Sequence, residues 1–342
     1  VSQAVDEAER LLAARRPLDA IAVLTAANRE RRDPEIERTL VDVRCRAFPR
    51  IRRTTHRRED WPPPYADPFP EVVDEVVWID RDRFDAPTVG GAVLHHGCVA
   101  VRGLLDPARA DELGRATEAV FAAREEVIAG ADEASVADRY LPFVPEHGAR
   151  SLASLRMWVR DAGAVWAADA PHLLFEVMES FRAVGLVELV ETYLGERPAL
   201  SVNKSVLRMV TPSAYPSWHQ DGAFLGDEVR ALNVWVALTP CGGPDGDAPA
   251  IDVVPRRMDG LVETGTEGAF LDKEVGPGVV ERVAGGAPVL RPRFEPGDAL
   301  VFDEFFLHRT AVDEGMTRDR HAIEWWCFAP SGFPPGYVPL VI

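Results

Sequence analysis

The spacing of apolar positions changes character along the chain. Ala4, Ala8, Leu11 and Leu12 recur at helical intervals. Pro17 opens a second such run with Ala20, Ile21, Leu24 and Ala27, and Pro34 a third with Ile36, Leu40 and Val43. Further on, Val76–Ile79 and Gly97–Gly103 read as strands. Asp106-Pro107 then starts a helix reaching about Ile128, with Asp106 as its cap and Pro107 at its first position. The polar stretch 130–155 predicts a long loop or a lid, and Leu155–Val159 a strand. His172–Ala183 and Leu186–Leu194 read as helices, the second closed by Gly195. From Ala199 the period falls to two. Leu200–Val210, Leu232–Leu238, Ala250–Val254, Ala299–Phe302, Phe305–Thr310 and Ala322–Phe328 are predicted strands. Short strands broken by Gly and Pro turns predict a sandwich or jelly roll, with Trp325 and Trp326 facing opposite ways.

Composition adds boundaries. With 342 residues, 46% of them hydrophobic, the chain can bury one large domain or one plus a smaller one. Trp61-Pro-Pro-Pro64 with Pro68 and Pro70 predicts an extended linker. The expected division is therefore a helical segment at 1–60, a proline-rich linker at 61–75 and a main domain at 76–342. The helical segment is similar to one tetratricopeptide-type hairpin, whose period is about 34 residues. A single unit of that kind cannot cover its own apolar face, so it packs on the main domain, on a second copy or on a protein partner. The basic run Arg50–Arg58 either attracts a phosphate-bearing substrate or pairs with neighbouring acids. A net charge of −17 argues against nucleic acid and anionic membranes as partners. No apolar run is long enough to span a bilayer, and the first residues lack the basic and apolar regions of a secretory leader. Cys45, Cys98, Cys241 and Cys327 are scattered among apolar neighbours, which predicts reduced thiols and a cytoplasmic protein.

Candidate chemistry centres on Trp218-His219-Gln220-Asp221 and on His308 far downstream. In an extended strand, residues two apart point the same way, so His219 and Asp221 can address one point. Two imidazoles and a carboxylate can occupy one face of an octahedral metal, leaving positions open for small ligands, as in non-heme Fe(II) oxygenases. Each fragment alone is common by chance, and a lone histidine is more often a packed residue than a ligand. Arg320 strengthens the set. It lies in an alternating segment expected to return beside the strand carrying His308, and a guanidinium pointing into a barrel needs an anion. A dicarboxylate would meet its planar fork, and Thr310, on the same strand face as His308, would add a hydroxyl. A surface ion pair with Asp319 or Glu324 is the simpler use of Arg320, and Arg318 shares its parity. Ser205 and Arg208 are polar positions on opposite faces of a strand-like run, so simple alternation lets at most one reach a pocket. For Arg208 the choice is between substrate contact and a rim salt bridge.

Taken in order, Trp218-His-Gln-Asp221, Asn233-Val-Trp-Val-Ala-Leu238, Ile251-Asp-Val-Val-Pro255, Pro296-Gly-Asp298, His308 and Arg320 resemble the phytanoyl-CoA dioxygenase family. The resemblance covers roughly Val76 to Pro330. It implies a mainly β fold with flanking helices, a double-stranded β-helix (cupin-like jelly roll). It also implies an oxygenase using Fe(II), 2-oxoglutarate and O2 to hydroxylate a small-molecule substrate, with release of succinate and carbon dioxide. By the same resemblance His219, Asp221 and His308 bind iron, Arg320 and Thr310 hold the far carboxylate of 2-oxoglutarate, and Trp235 lines its pocket. An aspartate at 221, where a small residue would leave a halide site, favours hydroxylation, desaturation or cyclisation over halogenation. The chain departs from the family pattern at Pro240–Asp247 and at Pro255-Arg-Arg-Met258, both expected at the pocket mouth, which leaves the substrate class open. Two other readings stand beside this one. One is a non-catalytic binding protein with a partner-docking helical arm; the other is a metal-cupin enzyme that uses no oxoacid.

Overall fold

Proline at helix starts and apolar residues one turn apart set the first three elements of the computed structural model, which describes residues 2–54, 61–145, 149–226 and 228–342. Helices α1 (Ser2–Ala13), α2 (Pro17–Glu30) and α3 (Pro34–Thr54) form where the spacing places them. Their apolar faces are covered by the body of the protein itself. Ala8, Leu11, Leu24, Leu40 and Val43 share a buried core with Phe175, Ala199 and Val341. Polar contacts fix the seam: Arg29 forks onto Glu179 at 2.5 and 2.9 Å, and the buried Arg44 donates to the Val341 carbonyl at 2.7 Å. His172 is part of the same seam, 3.1 Å from Glu37. Residues 55–58 of the basic run lie outside the described residues.

Next come β1 (Trp78–Asp80), α4 (Ala86–His96), β2 (Cys98–Arg102) and α5 (Pro107–Ile128). As predicted, Asp106 caps α5, its side chain accepting from the Ala108 N–H. The proline-rich stretch lies flat on α4. Phe69 is buried and the Trp61 ring stands 6.2 Å from that of Tyr193. Gly91 makes this approach possible, since a Cβ there would sit 2.7 Å from the Ala66 carbonyl oxygen. His95 and His96 end α4, where the left-handed Gly97 terminates it.

Helix α6 (Ala149–Asp161) stands where a strand was expected at Leu155–Val159. Its Leu155, Met157 and Trp158 are exposed, so the apolar run was never a buried strand. Runs this short do not separate the two periods. Then follow β3 (Ala164–Trp166), α7 (Pro171–Ala183), α8 (Leu186–Leu194), β4 (Ala199–Ser201) and β5 (Val206–Val210). The single strand predicted over 200–210 is broken by a turn, with Ser205 N–H donating back to the Ser201 carbonyl at 2.8 Å. The remaining elements are α9 (Gly222–Leu225), β6 (Ala231–Ala237), β7 (Ala250–Val253), α10 (Pro277–Ala284), β8 (Ala299–Phe302), β9 (His308–Ala311), β10 (Arg320–Phe328) and β11 (Pro339–Val341).

A nine-stranded mixed sheet runs β1-β2-β8-β6-β10-β4-β11, with β5 also on β10 and β3 on β5. A second sheet pairs β7 with β9. Alternation along the large sheet sorts its side chains. Val99, Val101, Val234, Val236, Val301, Ile323 and Trp325 face the helices, and Trp325 meets Phe181 of α7 at 5.3 Å. Ala100, Trp235, Leu300, Phe302 and Trp326 face inward, with Ile251 and Val253 of β7 in the same core. Two sheets with helices outside fit a jelly roll. Helices nevertheless hold more of the described chain than strands do, so the mainly β expectation understates them. Strand β10 lies in the large sheet, hydrogen-bonded to β6, β5 and β4, and does not return beside β9.

Candidate metal centre and cavity

His219 and His308 meet across an isolated antiparallel bridge, His219 N–H donating to the His308 carbonyl (3.0 Å) and the reverse bond measuring 3.2 Å. Each ring is oriented by its own chain: His219 Nδ1 contacts the Ser217 carbonyl at 2.9 Å and His308 Nδ1 the Phe306 carbonyl at 3.1 Å. A carbonyl only accepts, so Nδ1 carries the proton and the Nε2 lone pair of each ring is free to bind a cation. Asp221 reaches the same point by a different route from the one predicted. Its backbone is helical (φ −60°, ψ −29°) at the turn into α9, not extended. One ligand atom from each of the three residues still lies within 4.8 Å of the others, and His308 Nε2 is 3.7 Å from Asp221 Oδ2.

Electrostatics favour the metal-binding forms. Burial, followed by the charge of His219, pushes the His308 imidazole down to about 4 and so keeps it neutral near pH 7. For Asp221, burial acts upward, but Lys204 first and then the two histidines hold the carboxyl well below the usual range. Lys204 was not singled out from sequence. It lies in the turn between β4 and β5 and its Nζ donates to Asp221 Oδ1 at 2.7 Å, leaving Oδ2 toward the imidazoles. Polarity inside a segment read as one continuous strand was the available signal.

The three donors open onto a cavity of about 780 Å³. Arg320 enters from β10 and Thr310 from β9, the opposite wall. Arg320 is 1% exposed, gives one N–H to the Ala250 carbonyl at 2.6 Å and leaves its Nε–H without a partner. Its guanidinium carbon is 5.5 Å from the centre of the Trp235 ring, whose Nε1–H is likewise buried and unpartnered. Burial pushes the Arg320 pKa down to about 10, the mark of a cation without a counter-ion. Arg318 points elsewhere, exposed and 3.8 Å from Asp247. Arg208 lines the cavity with its Nε 3.5 Å from Glu324, so pocket contact and ion pair coexist. Ser205 does not line it; its hydroxyl is buried and unpartnered away from the cavity. The two departures expected at the mouth also lie off the lining. Cys241 bridges Phe294, Arg256 pairs with Asp74 at 3.3 Å, and Arg257 binds Asp303. The rim is instead built partly by residues 160–163 at the end of α6 and by Tyr215, Phe224 and Leu271.

The donor set suits Fe(II): two imidazole nitrogens and one carboxylate close together at the wall of a cavity. The unspent donors of Arg320 and Trp235 suit a bound carboxylate. No protein-family model matches the chain, and no curated protein does. Among solved structures it is similar to EctD from S. alaskensis with 2-oxoglutarate and 5-hydroxyectoine (16% identity over 76% of this chain and 81% of that one, TM-score 0.44). It is also similar to AviO1 from Streptomyces viridochromogenes Tue57 (16%, 73% and 97%, TM-score 0.40). A third is SnoK, a non-heme alpha ketoglutarate dependent carbocyclase from nogalamycin biosynthesis (14%, 73% and 94%, TM-score 0.41). These likenesses are too distant to assign a function. No helix among the described residues is long and apolar enough to cross a membrane.

Proposed function

We propose that the chain is a non-heme Fe(II)/2-oxoglutarate-dependent oxygenase on a double-stranded β-helix, hydroxylating a small molecule. The observation that carries this reading is the pairing of a His219–Asp221–His308 donor set with a buried, incompletely satisfied guanidinium in the same cavity. With Fe(II) and 2-oxoglutarate bound, such a centre couples oxidative decarboxylation of the oxoacid, giving succinate and carbon dioxide, to insertion of one oxygen atom into a substrate C–H bond.

The chain's own residues supply position and exclusion. The Nδ1–H bonds to Ser217 and Phe306 fix both ring orientations, and Lys204 fixes the Asp221 carboxylate. Arg320 and Thr310, with Trp235 beside the guanidinium, would hold the distal carboxylate of the oxoacid. Phe302 and Phe306 pack on His308 at 4.8 and 5.7 Å between ring centres and keep bulk water from that ligand. Arg208 and Glu324, on the wall shared with Trp235, are left to orient a polar substrate.

Anaerobic addition of 2-oxoglutarate to the Fe(II)-loaded protein tests the reading. The expected result is a visible absorption band that Zn(II) does not produce, followed in air by stoichiometric succinate. Iron binding with no response to 2-oxoglutarate would leave a metal-cupin protein without an oxoacid.

A further inference from the structure

A second cluster of guanidiniums lies far from the metal donors, at the seam between the N-terminal helices and the body. A cavity of about 190 Å³ is lined there by Leu18, Ile21, Thr25 and Arg29 of α2, by Arg182 at the end of α7, and by Arg197. Arg44 of α3 adds a fourth positive charge beside it, itself only 3% exposed. Partners for these charges are few. Glu179 is the one acidic side chain among them, and Arg29 takes both of its oxygens. Arg182 keeps only a long contact of 3.6 Å to Glu179, and its buried Nε–H has no acceptor. Arg44 and Arg197 give one N–H each to main-chain oxygens, of Val341 and Ile342. Burial, then repulsion from Arg182 and Arg197, pushes Arg44 down to about 10.

The unsatisfied group that points to a ligand is Thr25. It is 6% exposed, it lines the cavity, and its hydroxyl bonds to nothing. A buried hydroxyl without a partner is costly, and clustered like charges in a partly dry pocket repel. In a protein of net charge −17, four arginines facing one glutamate and the carboxyl oxygen of Ile342, the last residue of the sequence, which also lines the cavity, leave a local excess of positive charge. One tetrahedral oxyanion would accept from the Thr25 hydroxyl and from the Arg182 Nε–H while drawing the other guanidiniums inward.

We infer that the pocket between α2 and the end of α7 binds orthophosphate or the phosphoryl group of a small phosphomonoester. Binding there joins the helical segment to the body, because the donors come from both sides of the seam. The site is independent of the oxygenase reading, since none of its residues lines the large cavity.

Metal-free full-length protein is heated in chloride and in inorganic phosphate at equal ionic strength. Phosphate is expected to raise the Tm in a saturable way that chloride does not, with affinity weakened about tenfold in Arg182→Gln. Thr25→Val loses no internal hydrogen bond, so it keeps the fold and is expected to weaken phosphate severalfold. Glycerol phosphate as a second probe separates a phosphomonoester site, where it binds at least as well, from a site for the free ion. No phosphate-specific Tm shift, or an equal shift in wild type and both variants, overturns the proposal.

Discussion

Arg320 and Glu304 show how single buried charges carry opposite messages. Arg320 has donors to spare beside an open cavity, so it is built to be completed by a ligand. Arg320→Met should weaken 2-oxoglutarate by about 10- to 100-fold while leaving Fe(II) affinity within a few-fold, as titration of metal and oxoacid separately will show. Glu304 is 3% exposed, its Oε2 is unpartnered, and burial followed by the charge of Asp303 raises its pKa well above the usual value. A raised carboxyl contributes full stability below its unfolded pKa of about 4.3, and that contribution is lost as pH rises through the folded value. Glu304→Gln should therefore be more stable than wild type near neutrality, with the gap closing as pH falls toward 4, measured by denaturation across pH. The convergence of the candidate residues was largely readable. His219, Asp221, His308, Arg320, Thr310, Trp235 and Arg208 all reach one cavity, because residue types placed by turns and strands carry their spacing into space. Lys204 escaped because its role depends on a turn that the alternation of 200–210 concealed; of Ser205 and Arg208 only Arg208 lines the cavity, within the limit that alternation set.

Elements were legible wherever one period persisted. Helices α5, α7 and α8 and strands β6, β7, β8 and β10 fall close to their predicted spans, each with a cap, a glycine or a long alternation to mark it. Helix α4 was not anticipated: its Gly90-Gly91 pair lowers helix propensity, and the close approach of the proline-rich stretch, with Tyr193 of α8 against Gly90, explains their presence. Gly91→Ala should therefore lose about 1–3 kcal/mol despite improving local propensity, since the new Cβ meets the Ala66 carbonyl rather than a movable side chain. Thermal or urea unfolding checks the sign. The reading of β10 as a neighbour of β9 failed for a topological reason. Antiparallel partners in a two-sheet fold are set by crossovers, which local alternation does not encode.

For the whole molecule, the main consequence is that residues 2–54 are not a separate arm. Their apolar faces complete a core that runs through Phe175 to Val341, and Arg29 and Arg32 meet acids of α7. Unfolding should appear as one transition by far-ultraviolet dichroism and by tryptophan fluorescence. Phe175→Ala, at the joint and 6% exposed, should lower that single midpoint for both probes by the equivalent of about 3–5 kcal/mol. The bridge between His219 and His308 has a consequence for biosynthesis. One imidazole and the carboxylate leave the ribosome long before their partner, and the segment that orients the last ring is made later still than most of the large sheet. On the proposed reading, a nascent chain stopped short of residue 308 carries too few donors to retain iron, so the ion would be admitted only once most of its shield has been synthesised.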